Sequence, residues 1–260
     1  MKEICLEESK KICFSILQFF DSFCREHDIK YSLGEGTLLG AVRHKGFILW
    51  DDDIDLLMER PEIDKFISLY HSGPYKLFIP GEHKDWWSGV VRLTDPNTNL
   101  VFDNPGEGSH GLWIALTPVD HAPDSETDLI RLNKKRILWK NRCIYKVGKR
   151  GYPKSLSGLF IKITNQFLPI KWLNRQYVNT LSAFNGIETK RRLKIRVKGN
   201  PLIFPASIMS EYTELEFEGQ KFMAISHYDE YLSLMYGDYM TLPPVSERVP
   251  KHNFKAYYIE

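Results

Sequence analysis

Four carboxylates crowd together in the stretch RHKGFILWDDDIDLLME (residues 43–59): Asp51, Asp52, Asp53 and Asp55. Like charges at this spacing repel, so a chain that keeps them together needs something to neutralise them. The apolar run that follows reads as a buried strand. Strand side chains alternate faces, so Asp53 and Asp55 project to one side while Ile54 and Leu56 face the core; Asp51 shares their parity if the strand starts early. Carboxylates converging on one side either share a proton, which raises a pKa, or hold a cation. Hard divalent cations, Mg²⁺ above all (or Mn²⁺), take such oxygen ligands. A helix-terminal acidic cap and a solvated acidic loop are the competing readings. The cap fits poorly because DLLM runs into charge and then Pro61, and the loop leaves the flanking GFILW unexplained.

Upstream lies GEGTLLGAVRHKG. A small Gly-rich turn ahead of a helix exposes backbone N–H groups that can cradle phosphate at the positive helix end. Arg43, His44 and Lys45 place three donors at the far end of the same helix. Most Gly turns are only turns. Paired with carboxylates fifteen to twenty residues later, this one fits a nucleotidyltransferase-like site of turn, helix and metal-binding DxD strand.

The elements that must position these residues follow from periodicity. Apolar residues at 12, 13, 16, 17, 20, 23 and 24 give the first helix, within Ile4 to Glu26, one buried face. IKYSL reads as a short strand, TLLGAVRH as a helix and DIDLLM as a strand. PEIDKFISLYH is a second amphipathic helix with Pro61 at its start. YKLFI, SGVVRLTD, NLVFD and LWIALTPVD read as further strands, with DPNTN as a turn. From Thr127 to Phe184 the pattern is mostly helical; a hairpin TELEFEGQKFMAI, a helix YDEYLSLMYG and a polar tail complete the chain.

The expected architecture is α/β (α+β): a mixed sheet core with flanking helices and a basic helical insert. Residues 1–130 form the catalytic core, 131–199 the insert, and 200–260 a segment returning to the core. With 260 residues and 43% hydrophobic content, the chain has the material for a substantial core. Cys5, Cys13 and Cys24 fall on one helix face as small buried hydrophobes, and with Cys143 they form no CxxC pair; the eight histidines show no HExxH spacing, which argues against a zinc site. No secretory signal and no spanning segment is visible, so a cytoplasmic location is expected. Residues 146–198 hold thirteen Lys or Arg against one acid, Glu188. This surplus of +12 leaves −10 for the rest of a chain whose total is +2. That segment reads either as a solvated basic face or as a surface for anionic partners, such as a phosphate-rich acceptor or an acidic inner leaflet. No nucleic-acid reader motif accompanies it.

The stretch YSLGEGTLLGAVRHKGFILWDDDIDLLM closely resembles the core motif of the LicD family of phosphotransferases. VRLTDPNT, GLWIALTPVD, and EFEGQKF through YLSLMYGDYMTLPP agree with it, so the resemblance spans Tyr31 to Pro244. It implies a nucleotidyltransferase-like core. It also implies transfer of a substituted phosphate, typically phosphocholine from CDP-choline, to a glycan or lipid-linked glycan hydroxyl with release of CMP, as in teichoic acid, lipopolysaccharide or capsule modification. The related fukutin group handles alditol phosphates from CDP donors. The resemblance makes Asp53 and Asp55 the metal pair, with Asp51 and Asp52 completing the run, Gly36 and Thr37 the phosphate turn, and Arg43 and His44 the family's Arg-His pair.

Two departures stand out. The family's Ile-Pro-Trp is Ile48-Leu49-Trp50 here, which is expected to alter loop stiffness only. The family's Asp inside the strand pattern IDIFPLD is Ala115 here, so the chain as it stands lacks the third carboxylate that helps hold metal and activates the nucleophile; Asp120 is the nearest substitute. A choline donor calls for an aromatic cage, for which Trp86, Trp87, Trp113 and Tyr236 are candidates against a plain packing role. Arg248 and His252 reach the site if the tail folds back. A non-catalytic nucleotide-binding scaffold is the competing reading, and within the enzyme class the runner-up is ribitol or glycerol phosphate transfer.

Overall fold

The computed structural model describes residues 2–82, 88–102, 110–148, 150–196, 199–250, 252 and 254–259. The chain opens with β1 (Glu3–Ile4) and α1 (Leu6–Glu26), then β2 (Ser32–Leu33), α2 (Glu35–His44), β3 (Ile54–Glu59) and α3 (Arg60–Leu69). Four strands follow: β4 (Lys76–Phe78), β5 (Val91–Thr94), β6 (Thr98–Phe102) and the ten-residue β7 (Trp113–Ala122). Three helices come next, α4 (Glu126–Lys146), α5 (Leu156–Phe167) and α6 (Ile170–Leu181). The chain then runs through β8 (Arg191–Lys194), β9 (Leu202–Pro205), the hairpin β10 (Tyr212–Phe217) and β11 (Gln220–Ile225), α7 (Tyr228–Tyr236) and β12 (Phe254–Tyr258). This is a mixed α/β fold, as the sequence pattern predicts.

The main sheet has seven strands. β2, β3, β7, β5 and β4 form its path, and β8 extends the edge of β7 beyond β5, with β9 beside it. Among the described residues of this sheet only β3 and β7 run parallel; the other pairings are antiparallel. β7 is buried along nearly its whole length, consistent with its run of apolar residues, because β3 lines one edge from end to end while β5 and β8 share the other. A second sheet orders β1, β12 and β6. The hairpin turn at Glu218-Gly219 has both residues at positive φ (51° and 76°), the two-residue turn that matches strand twist.

One core surrounds α1 and the β3–β7 pair, including Ile16, Leu17, Phe20, Leu56, Ile114 and Leu116. A second joins Leu132, Cys143, Leu173, Tyr177 and Leu181 of α4 and α6 to Leu193 of β8. The segment expected to be a helical insert thus holds three helices but ends in a strand of the main sheet. Two further expectations are corrected. Cys5 precedes α1 and is exposed, so only Cys13 and Cys24 lie on the buried face. The polar tail is no loose end: Phe254, Ala256 and Tyr258 alternate along β12, which pairs with both β1 and β6.

Asp120 near the end of β7 is fully buried. Its carboxylate accepts hydrogen bonds from Arg60 Nε (2.5 Å) and Nη2 (2.6 Å) and from Asn185 Nδ2 (2.7 Å). The Arg60–Asp120 pair ties α3 to β7, and Asn185 adds the loop after α6. Removing one charge of a buried pair strands the other, so Asp120→Asn is expected to cost about 3 kcal/mol in urea unfolding. A loss below about 0.5 kcal/mol, the scale of an exposed pair, would refute this role.

Candidate active site

The acidic run sits between the C-terminal end of α2 and the first residue of β3. Lys10 of α1 donates to the backbone carbonyls of Ile48 (3.3 Å) and Leu49 (2.9 Å), pinning the loop whose proline is absent here. Asp51 follows, and it packs against the glycine in the first turn of α2: a Cβ on Gly36 would collide with Asp51 Oδ2. A carboxylate at the positive end of a helix is electrostatically favoured. Thr37 Oγ1 accepts from the Asp55 backbone N–H (2.9 Å), fixing the start of β3. The positive φ of this turn falls on Glu35 (43°), whose carboxylate pairs with the fully buried Lys194 of β8. In this structure Gly36 and Thr37 therefore position the acidic run.

Across the sheet, Asp55 is in register with Ala115 of β7, and Ala115 with Arg92 of β5. Residues paired this way share one sheet face, so Asp55, Ala115 and Arg92 form a row. The place where the family resemblance calls for a carboxylate is thus directly beside Asp55. Asp53 falls just before the regular strand rather than within it. Asp120 lies five residues beyond Ala115, about 16 Å along the strand, with the opposite parity, and is already committed to Arg60 and Asn185. It is not the substitute for the missing carboxylate.

The tail supplies what the sequence left open. The His252 N–H donates to Asp52 Oδ2 (3.2 Å), and its Nδ1 stands 2.8 Å from Asp52 Oδ1 and 3.9 Å from Asp53 Oδ2. Burial alone would lower the imidazole pKa, but the Asp52 hydrogen bond and the charges of Asp53 and Asp52 outweigh it and hold the pKa above its ordinary value. One ligand atom from each of Asp52, Asp53 and His252 can be drawn from a group lying within 4.8 Å. The sequence pointed to Asp53 and Asp55 as the metal pair; the structure adds Asp52 and His252 around Asp53. Carboxylate oxygens with one imidazole nitrogen are a donor set that a divalent cation fits, and the carboxylates favour Mg²⁺ or Mn²⁺.

Cations border this acidic centre. Arg43 donates to the carbonyls of Tyr239 (2.7 Å) and Thr241 (3.5 Å) and to His44 Nε2 (3.0 Å), holding the chain after α7 against α2. Burial and the neighbouring charge of Arg248 lower the Arg43 pKa, and burial and Arg43 lower that of His44. Arg248 lies over the Trp50 ring at 5.7 Å. Lys45 is the left-handed C-cap of α2, its carbonyl accepting from Glu218 N–H (2.9 Å). Tyr236 of α7 faces the run: burial, then Asp55, Asp51 and Asp53, push its phenol well up.

Trp113 does not offer an open cage wall. It is buried, Arg92 covers its ring at 3.9 Å, and His252 meets it edge-on at 5.6 Å. Trp86 and Trp87 lie outside the described residues. Arg92 was missed as a site residue, although VRLTD marked its strand; its place is visible only once β5 is registered on β7.

Residues 28–92, which carry the turn, α2, the acidic run and Arg92, match the family model described as "LicD/FKTN/FKRP, nucleotidyltransferase domain". Over its full length the chain is 29% identical to the lipopolysaccharide cholinephosphotransferase LicD of Haemophilus influenzae, covering all of both proteins. The chain is thus similar to the LicD family in this nucleotidyltransferase segment and to a LicD protein along its whole length. Two uncharacterised rickettsial proteins share shorter stretches. That of Rickettsia typhi is 37% identical over 65 residues (24% of this chain, 21% of its own), and that of Rickettsia prowazekii 54% over 39 residues (15% of each). The LicD likeness thus extends through the helical segment and the tail that delivers His252.

Proposed function

We propose that this chain transfers phosphocholine from CDP-choline to a hydroxyl of a cell-surface glycan or its lipid-linked precursor, releasing CMP, at the cytoplasmic face of the membrane. The reading is supported by the full-length likeness to a protein named lipopolysaccharide cholinephosphotransferase. The observation that carries it is the convergence of Asp52, Asp53 and His252 beside the Asp55 row. Asp53, with Asp52 or Asp55 and His252, would hold Mg²⁺ or Mn²⁺, which when bound neutralises charge on a diphosphate donor. Phosphoryl transfer asks for positioning and charge balance more than covalent chemistry. Arg43, His44 and Arg248 would offset negative charge on the departing CMP. Thr37 and Lys10 hold the run rigid. The acceptor oxygen forms its bond to the distal phosphorus as the bond to CMP breaks, and the hydroxyl proton must leave.

No carboxylate at position 115 receives that proton. Ala115 beside Asp55 favours a second reading: a chain that binds a CDP-activated ligand and turns over little or not at all. A CDP-ribitol or CDP-glycerol donor is the alternative within the enzyme class. CDP-choline, CDP-ribitol and CDP-glycerol, each with Mg²⁺ or Mn²⁺ and a lipopolysaccharide acceptor, separate these readings by CMP release. The expected result is release from CDP-choline about tenfold above either alditol donor, the discrimination that one mismatched head group supports. Binding of CDP-choline without CMP release establishes the scaffold reading. An alditol donor turning over faster overturns the choline assignment.

A further inference from the structure

α5 is built inside out. A surface helix of a globular protein ordinarily turns its apolar stripe inward and its polar residues to water. Here the buried positions are Gly158 and Asn165. Asn165 Oδ1 accepts from Arg142 Nε of α4 (2.9 Å), and its Nδ2 donates to the Arg142 carbonyl (3.0 Å). Arg142 also donates to Thr164 Oγ1, and Lys146 Nζ donates to the Asn165 carbonyl (2.7 Å). The helix is therefore fastened to α4 largely by hydrogen bonds. Its outward side carries Leu156 (89% exposed), Leu159, Phe160 (65%), Ile163 and Phe167 (79%). At about 100° per residue these five fall within an arc of about 100°, opposite Gly158 and Asn165. Scattered exposed apolar residues are normal; a continuous helical stripe of five, two of them Phe, is not.

The charge around the stripe identifies the occupant. Residues 129–187 contain thirteen Lys or Arg and no Asp or Glu. Lys162 borders the stripe, and Lys154 and Arg150 precede it. All three are exposed, and none makes an ion pair among the described residues. Lys171, just past the helix, pairs loosely with Glu82 (3.6 Å). A second copy of this chain would set two such basic segments against each other. An apolar ridge on a convex helix, edged by cations, suits an anionic bilayer surface, into which such a helix lies parallel with its apolar face in the acyl boundary.

We propose that α5 docks the protein on anionic phospholipid bilayers, its Leu156–Phe167 stripe entering the interface and the neighbouring Lys and Arg meeting the headgroups. No helix among the described residues is long and apolar enough to cross a membrane, so the contact is peripheral. The inference stands on α5 and its charge alone and does not depend on the transferase reading.

Cosedimentation of the full chain with vesicles of phosphatidylcholine, and of phosphatidylcholine mixed with phosphatidylglycerol, tests it without any donor or acceptor. Binding is expected to the anionic vesicles, to weaken with added salt, and to fall about tenfold in the double variant Phe160→Ser, Phe167→Ser. Both side chains are exposed, so the variant is expected to keep its circular dichroism spectrum and melting temperature. Failure to bind anionic vesicles, or equal binding by the folded double variant, overturns the proposal. So does a concentration-dependent dimer that the double variant abolishes while vesicle binding is absent.

Discussion

Asp53→Asn is expected to weaken Mn²⁺ binding and to reduce donor-dependent CMP release about a thousandfold, in this chain and more visibly in the Ala115→Asp background. The geometry singles out Asp53 among the four acids. Asp51 sits against Gly36 at the start of α2, and Asp52 takes both the backbone and the ring of His252. Asp53 lies between His252 and the first residue of β3, sharing strand parity with Asp55. Asn keeps the shape and removes one charge from a crowded group. The melting temperature without metal is therefore expected to hold or rise, since mutual repulsion falls. A calorimetric Mn²⁺ titration reads the site even if turnover is negligible. Unchanged Mn²⁺ affinity together with unchanged CMP release would remove Asp53 from the metal site.

Much of this site is local in the chain and was legible there. The turn, α2 and the acidic run lie within Gly34 to Asp55, and alternation along β3 correctly separates Asp55 from the core-facing Ile54 and Leu56. The long apolar β7 and the β10–β11 hairpin are equally local patterns. What could not be read depends on contacts across the chain. His252 meets Asp52 at a separation of 200 residues, just ahead of the short strand β12, whose alternation of Phe254, Ala256 and Tyr258 is hidden in an otherwise polar tail. Arg92 joins the row only through antiparallel register with β7. The turn holds contacts that its own residues do not announce. Its glycines read as a phosphate turn, and the fold also brings Asp51 close against Gly36, while the positive φ falls on Glu35, paired with Lys194 of β8. Sequence pattern announces a tight approach but not what approaches. α5 carries the same lesson. Its apolar periodicity predicts a helix correctly, but which face is buried was decided by Arg142 and Asn165, so the stripe that would ordinarily report the core reports the surface.

Ala115→Asp is the substitution with the largest expected gain: about a hundredfold or more in CMP release, the range that a positioned acid or base contributes. The register makes the argument geometric. Asp55 and Ala115 are partners on parallel strands about 4.8 Å apart, so a carboxylate at 115 projects from the same face into the space beside Asp55. Arg92 follows Ala115 in the row on β5, a cation in register with the new charge. Position 115 is buried, so without a cation the added carboxylate raises both repulsion and desolvation cost, and the melting temperature is expected to fall. With Mn²⁺ present the loss is expected to be recovered, because binding to the native state alone stabilises it. Ala115→Asn fills the same volume without the charge; it is expected to restore neither activity nor metal-linked stability. That contrast separates a missing carboxylate from a mere gap beside Asp55. If Ala115→Asp folds, binds CDP-choline and Mn²⁺, and still releases no more CMP than the chain as it stands, position 115 is not what limits turnover, and the absent step lies with a residue other than a third acid on β7.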